Sequence, residues 1–198
     1  MGEQAEPGED RILTVPNVVT VVRLLCVPLF LWLLFDRHER AGAAFLLGAL
    51  GATDFVDGYI ARHFHQVSTV GKVLDPLADR ILLMVGVAAI LVDGAVPPWV
   101  AWVTLVREVL VAGAFLVLAA LGARRIDVQW AGKAGTFGLM FAFPLLLAGY
   151  RHAVFWHSLA RFLGWGCAVP GLLLSWYAAA TYVPLARQAL REGRSAGG

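Results

Sequence analysis

The sequence has few charged residues for its length. Of its 198 residues only 15% are Asp, Glu, Lys or Arg, against about 25% in an average soluble domain. The hydrophobic share is 59%, and the mean hydropathy is +0.71. This composition excludes an ordinary soluble domain. The net charge of +2 is close to neutral and by itself says nothing about nucleic acid, which we do not predict as a partner.

The sequence has only two cysteines, and its first ten residues lack the features of a signal peptide. Cys26 and Cys167 both lie in apolar runs, so we interpret them as small buried hydrophobes rather than as a disulfide or a metal pair. Segment 1–10 is acidic, whereas a secretory signal begins with positive charge. We therefore predict that 1–10 is a disordered cytoplasmic tail and that 189–198 is a flexible cytoplasmic tail.

The apolar residues are arranged in runs of about 20, the length that a helix needs to cross a bilayer. Six spans are predicted, at about 17–35, 41–61, 76–96, 98–121, 131–150 and 162–186. Pro76 suits the first turn of the third span, with Asp75 as its cap, and Pro97-Pro98 separates the third span from the fourth. We predict an all-α integral membrane protein whose six transmembrane helices form one domain, 11–188.

Basic residues are distributed unevenly between the two sides that these spans define. If the N-terminus is inside, the inner segments hold Arg11, Arg62, Lys72, Arg80, Arg124, Arg125, Lys133, Arg187, Arg191 and Arg194. The outer loops then hold only Arg37, Arg40, Arg151 and Arg161. The positive-inside rule predicts that both termini are cytoplasmic. The loop between spans two and three therefore lies at the cytoplasmic face of the cell membrane.

Four aspartates flank this cytoplasmic loop. Asp54 and Asp57 are three residues apart and Asp75 and Asp79 are four apart, so each pair shares one helix face. A carboxylate at membrane depth is costly, which makes it a functional candidate. Oxygen ligands suit Mg²⁺, Mn²⁺ or Ca²⁺ better than zinc. We predict that the four carboxylates hold either two divalent cations, or one cation beside a free base.

Small residues and an arginine follow the first aspartate pair. Gly58 and Ala61 lack bulk, so a ligand or a backbone can approach closely. Arg62 offers a permanently charged planar fork to a phosphate. Together with the predicted metals, these residues favour a diphosphate-binding site.

The four aspartates belong to a longer pattern that resembles the signature of the CDP-alcohol phosphotransferase family at every fixed position. The pattern reads Asp54-x-x-Asp57-Gly58-x-x-Ala61-Arg62, eight residues, then Gly71-x-x-x-Asp75-x-x-x-Asp79. The resemblance extends from about residue 11 to residue 185. It implies a homodimeric membrane enzyme that transfers a phosphatidyl group from CDP-diacylglycerol to an alcohol and releases CMP.

The resemblance also implies roles for the residues of the pattern. Asp54, Asp57 and Asp75 would hold two divalent cations, Mg²⁺ or Mn²⁺. Asp79 would lie near a metal and act as the general base that deprotonates the acceptor hydroxyl. The residues that would pack against the cytidine and diphosphate of the CDP-lipid are Gly58, Ala61, Arg62 and Gly71.

Within the family, the chain is most similar to the branch of phosphatidylglycerophosphate and cardiolipin synthases. The phosphatidylglycerophosphate synthases commonly have G-K-x-K-T at the start of span five, whereas this chain has Gly132-Lys133-Ala134-Gly135-Thr136 and lacks the second lysine. A small phosphorylated acceptor should need that extra cation. We predict that the acceptor is phosphatidylglycerol, so that the product is cardiolipin, with glycerol 3-phosphate as the alternative.

Arg107 and Glu108 are charges inside an apolar run. One interpretation is a buried charge pair satisfied by a neighbouring helix. The other, which we favour, is a cavity in which Arg107 and Lys133 bind the phosphate of the acceptor or of the CDP-lipid.

Two other classes of protein are alternatives for the acidic pattern. A divalent-cation transporter would also use oxygen ligands, but it needs acids near the bilayer midplane, usually with broken helices or repeats. Here the acids lie at predicted helix ends and the sequence has no repeat. A membrane scaffold would leave four costly carboxylates unexplained, so we predict an enzyme.

Overall fold

In a computed structural model the described residues form six α-helices and one short 3₁₀ turn, with no β-strand among them. The structure describes residues 15–64, 71–120 and 130–195, with side chains for 20–53, 78, 80–114 and 130–181. The helices are α1 (Val15–Phe35), α2 (Arg40–Phe64), α3 (Gly71–Asp93), α4 (Pro98–Ala120), α5 (Trp130–Ala148) and α6 (His157–Ser195), with the 3₁₀ turn at Tyr150–His152. The all-α prediction is confirmed for these residues, and the predicted tail 1–10 lies outside them.

The break between α3 and α4 follows from a glycine and a proline. Gly94 has a φ of +78°, a conformation that glycine adopts without steric cost. The N–H of Ala95 donates to the carbonyl of Ile90 at 3.2 Å, which closes the helix end in the manner of a Schellman motif. Pro98 then begins α4, at a position where a helix needs no N–H donor.

Several helix boundaries differ from the sequence prediction, among them the start of α3 and the end of α6. α3 begins at Gly71 rather than at Pro76, so Asp75 lies within the helix instead of capping it. Pro76 is thus the sixth residue of α3, beyond the first turn, and it removes one backbone hydrogen bond from the helix. α6 continues to Ser195, nine residues beyond the end of the predicted sixth span, and the flexible cytoplasmic tail at 189–198 stays a prediction.

The most extensive helix contact is between α5 and α6. A Cβ atom on Gly135 would lie 2.6 Å from the backbone N of Ser175 and 2.9 Å from the carbonyl oxygen of Gly171. The two backbones can approach this closely only because Gly135 has no side chain. α5 also contacts α2 and α3, and its Leu139 and Phe143 are fully buried. α5 is therefore the central helix of the described fold.

Two helical segments in the described part of the chain are long and apolar enough to cross a membrane. They are α5, Trp130–Ala148, and the first part of α6, His157–Thr181. α1 and α2 contain shorter apolar stretches, Thr20–Phe35 and Arg40–Thr53. These segments fit a membrane-associated protein, while the six predicted spans and the position of the termini remain predictions.

Candidate active site

The acidic pattern lies on two consecutive helices. α2 carries Asp54 and Asp57 towards its C-terminal end, and α3 carries Asp75 and Asp79 towards its N-terminal end. The side chains of the four aspartates lie outside the described part of the structure, as do those of the remaining pattern residues, Gly58, Ala61, Arg62 and Gly71. Among the side chains that are described, no group of three His, Cys, Asp or Glu could hold a metal ion.

Two contacts determine how α2 and α3 run past each other. At the start of α2, Arg40 Nη2 lies 2.8 Å from Asp93 Oδ1 at the end of α3. Seven residues further into each helix, a Cβ on Gly86 would lie 3.3 Å from Leu47 Cδ1. Positions seven apart return to nearly the same face of a helix after two turns. The two helices are therefore antiparallel, with position 40 beside 93 and position 47 beside 86.

The same register extends to the acidic pattern. Asp54 follows Leu47 by seven residues (47 to 54), and Asp79 precedes Gly86 by seven (79 to 86). At about 1.5 Å per residue, both positions lie about 10 Å from the Leu47–Gly86 contact and in the same direction. The backbone positions of Asp54 and Asp79 are thus level with each other. We call this end of the α2–α3 pair the motif end.

A buried network of charged side chains lies beside the motif end. Glu108 of α4 is 1% exposed, and both of its carboxylate oxygens accept hydrogen bonds. Oε1 accepts from Arg107 Nη1, and Oε2 accepts from Arg80 Nη1 at 3.4 Å. Arg80 directly follows Asp79 in α3. Two guanidiniums and one carboxylate leave one net positive charge next to the acidic pattern.

The two arginines of this network differ in their surroundings. The side chain of Arg107 is 5% exposed, and it also donates to Thr136 Oγ1 on α5 and to the Ser175 carbonyl on α6, each at 3.4 Å. The side chain of Arg80 is 34% exposed. Arg107 therefore joins α4 to α5 and α6, whereas the accessible part of the positive charge belongs to Arg80.

The two residues predicted to bind a phosphate of the acceptor or of the CDP-lipid lie in different environments. Arg107 is in the buried charge pair that was the alternative interpretation, and Lys133 is exposed, about one turn before Thr136 on α5. Their phosphate-binding role remains a prediction. Sequence reasoning did not select Arg80 or Glu108 as site residues, although Arg80 adjoins Asp79 in the chain.

The other end of the α2–α3 pair is held by a different ion pair. Arg40 donates from Nε and Nη2 to both carboxylate oxygens of Asp93, at 2.8 to 3.1 Å. The Asp93 side chain is 5% exposed. The guanidinium of Arg40 also lies 5.7 Å from the ring centre of Tyr150, which belongs to the 3₁₀ turn. We call this arrangement the Arg40–Asp93 clasp.

Comparisons with known proteins agree with the pattern. A family model described as CDP-alcohol phosphatidyltransferase matches residues 13–177. The chain is 39% identical over 188 residues to a cardiolipin synthase (CMP-forming) of Streptomyces coelicolor, covering 92% of this chain and 86% of that protein. It is 32% identical over 184 residues to a putative cardiolipin synthase of Mycobacterium tuberculosis, covering 93% and 88%.

A third relative has a different name. Over 150 residues the chain is 33% identical to a CDP-diacylglycerol–glycerol-3-phosphate 3-phosphatidyltransferase of Bacillus subtilis, covering 69% of this chain and 77% of that protein. The similar proteins therefore include some named for cardiolipin and one named for CDP-diacylglycerol and glycerol 3-phosphate.

Proposed function

Since the chain belongs to the CDP-alcohol phosphatidyltransferase family, we propose that it transfers a phosphatidyl group from CDP-diacylglycerol to phosphatidylglycerol, forming cardiolipin and releasing CMP. The family model spans 13–177 and includes every fixed position of the acidic pattern. The observation that carries the proposal is the register of α2 and α3. It puts the backbone positions of Asp54 and Asp79, which belong to different halves of the pattern, at the same level along α2 and α3.

Asp54, Asp57 and Asp75 are the residues that would hold two divalent cations, Mg²⁺ or Mn²⁺, with Asp79 beside them. Four carboxylates at one end of a helix pair repel one another unless cations neutralise them. The donor set contains only oxygen, which fits these ions better than zinc. When bound, the cations polarise the phosphoryl groups and stabilise the charge on the departing CMP.

Asp79 is the general base in this proposal. It takes the proton from the acceptor hydroxyl, whose oxygen attacks the phosphorus that is bonded to diacylglycerol. The bond from that phosphorus to the CMP oxygen breaks. Gly58, Ala61 and Gly71 allow the cytidine and diphosphate to approach the backbone, and Arg62 offers its fork to the diphosphate.

The packing of Gly135 supports phosphatidylglycerol as the acceptor. Position 135 corresponds to the second lysine of the G-K-x-K-T segment, and here even a Cβ would lie 2.6 Å from the Ser175 backbone N. A lysine at this position would force α5 away from α6, so the chain cannot offer a second cation here in this packing. Glycerol 3-phosphate is the second candidate, because Lys133 is exposed and the Bacillus subtilis relative is named for that acceptor.

The matched relatives also favour an enzyme over a divalent-cation transporter, since each is named as a synthase or a transferase.

Arg107 and Lys133 are proposed to bind a phosphate of the acceptor or of the CDP-lipid, with Lys133 as the accessible member of the pair.

We also propose that all six helices cross the cell membrane, with both termini and the active site at the cytoplasmic face. The helices are 19 to 39 residues long, and about 1.5 Å per residue gives at least about 28 Å for the shortest. Large apolar side chains face outwards, among them Phe155, Trp130 and Phe162, each at least 75% exposed. A homodimer is the assembly that the family resemblance implies.

The test is release of CMP from CDP-diacylglycerol by purified protein in detergent with Mg²⁺ or Mn²⁺. Phosphatidylglycerol and glycerol 3-phosphate are offered in parallel, with inositol phosphate and serine as further acceptors. We expect CMP and cardiolipin with phosphatidylglycerol. CMP release with glycerol 3-phosphate alone would overturn the acceptor assignment and leave the reaction class intact. No release with any acceptor, from folded and metal-loaded protein, would overturn the proposed reaction.

A further inference from the structure

We propose that Arg80 binds the diphosphate of the CDP-lipid and that Glu108 is the positioning residue that holds the Arg80 guanidinium in place. The inference rests on the proposed function, because it assigns two further residues to the same site. It is carried by the side chains of α3 and α4 beside the motif end.

The charge balance of the network is the first argument. A carboxylate as deeply buried as Glu108, which is 1% exposed, needs one hydrogen-bonded cation to offset its desolvation. Arg107, on the same helix, already supplies that cation. The second guanidinium, from Arg80, exceeds what Glu108 requires. The positive charge that Arg80 adds to the network is therefore available to an anionic ligand.

The location of Arg80 is the second argument. It follows Asp79 directly in α3, at the level where the register of α2 and α3 puts Asp54. Its side chain is 34% exposed, whereas that of Arg107 is 5% exposed. A ligand that approaches the motif end can therefore reach Arg80. A planar guanidinium can bind two phosphate oxygens at once, which suits a diphosphate.

The contacts behind Arg80 explain how Glu108 would position it. A free arginine side chain has many rotamers, and ordering it on binding costs affinity. Glu108 Oε2 holds Arg80 Nη1 at 3.4 Å, and Glu108 Oε1 is held by Arg107. Arg107 is in turn bonded to α5 and α6, through Thr136 and Ser175. A chain of contacts thus runs from α5 and α6 through Arg107 and Glu108 to the guanidinium of Arg80, the more exposed of the two.

Two variants test the inference, and the clasp supplies a matched control for each. Glu108→Gln keeps the shape of the side chain and removes its charge, and Arg80→Lys keeps a charge and removes the fork. The controls are Asp93→Asn and Arg40→Lys, which make the same chemical changes in an ion pair at the opposite end of α2 and α3. The readouts are kcat, the KM for CDP-diacylglycerol in mixed micelles, the KM for the acceptor, and Tm.

Both test variants should raise the KM for CDP-diacylglycerol by about tenfold to a hundredfold, the usual effect of losing a hydrogen bond to a charged group. The KM for the acceptor should stay unchanged. Both controls should lower Tm and leave the KM for CDP-diacylglycerol unchanged. If Glu108→Gln lowers Tm with no change in that KM, Glu108 is only structural and the inference is wrong. An unchanged KM in Arg80→Lys would overturn the role of Arg80.

Equilibrium binding of CDP-diacylglycerol to metal-loaded protein separates failure of this inference from failure of the proposed function. If the wild-type protein binds the lipid but releases no CMP, the proposed reaction is wrong, and weaker binding by Arg80→Lys and Glu108→Gln still supports the inference. Equal binding by wild type and both variants would overturn it whatever the turnover. Absence of binding by the wild type would overturn both.

Discussion

A buried carboxylate bonded to arginine lies at each end of the α2–α3 pair, Asp93 of α3 at the clasp and Glu108 of α4 beside the motif end, and the two differ in charge balance. At the clasp, Arg40 and Asp93 neutralise each other through hydrogen bonds of 2.8 to 3.1 Å. Beside the motif end, Glu108 receives two guanidiniums, and its contact with Arg80 is longer, at 3.4 Å. A balanced bidentate pair holds two helices together, whereas an unbalanced one leaves a charge for a ligand. In our proposal the clasp provides cohesion between the helices and the motif end provides the chemistry.

The largest expected effect comes from removing a carboxylate from each end of α3 in turn. Asp79→Asn should reduce kcat by about 10²- to 10⁴-fold, because the proposed general base is lost. It should largely retain binding of metal and CDP-diacylglycerol. Asp93→Asn, at the clasp, should keep wild-type kcat. The rate of CMP release at saturating substrate gives kcat for each of the two variants. Equal kcat values for Asp79→Asn and wild type would break the contrast between the two ends.

A smaller effect is expected from adding one methyl group to the helix contact behind the motif end. Gly135→Ala puts a Cβ 2.6 Å from the Ser175 backbone N, so α5 and α6 must separate. We expect a loss of about 1–3 kcal/mol of stability, the usual cost of overpacking. Gly166→Ala is the control, because no atom lies within 4 Å of a Cβ at that position. Thermal unfolding in detergent compares the two, and an equally stable Gly135→Ala would show that the tight contact is not needed.

The smallest effect is expected from the clasp itself. Arg40→Gln and Asp93→Asn should each lower Tm, and the double variant should lose less than the sum of the two. The coupling should be about 1 kcal/mol, because the Asp93 side chain is buried while Arg40 is partly accessible to solvent. A double-mutant cycle on Tm-derived free energies gives this value. Strictly additive losses would mean that the pair does not hold α2 to α3.

The sequence was sufficient to predict most of the helices. Long apolar runs give helices by local rules, and Pro97-Pro98 predicted the break before α4. The predicted start of α3 was wrong by several residues, because Asp75 and Pro76 suggested a cap and a first turn, whereas the helix begins at Gly71 and includes both. The C-terminal extension of α6 to Ser195 was missed for a related reason, because its polar residues suggested a tail although most of them are good helix formers.

The candidate site was predicted in part. The acidic pattern could be read directly, since its spacing is local to α2 and α3 and matches a family signature at every fixed position. The burial of Arg107 and the exposure of Arg80 could not be predicted from the sequence. Arg107 and Arg80 are both charges near apolar runs, and only their surroundings distinguish the one buried among α4, α5 and α6 from the one exposed beside Asp79.

The sequence by itself therefore determined the helical class, the family and the identity of the acidic residues, because helix propensity and short spacings depend on neighbours in the chain. The tertiary structure decided the level at which α2 and α3 meet, the burial of Arg107, the exposure of Arg80 and the exclusion of any side chain at position 135. These properties depend on contacts between residues far apart in sequence, such as Arg40 with Asp93 and Gly135 with Ser175. No local sequence pattern predicts that packing buries Arg107 and leaves Arg80 partly exposed.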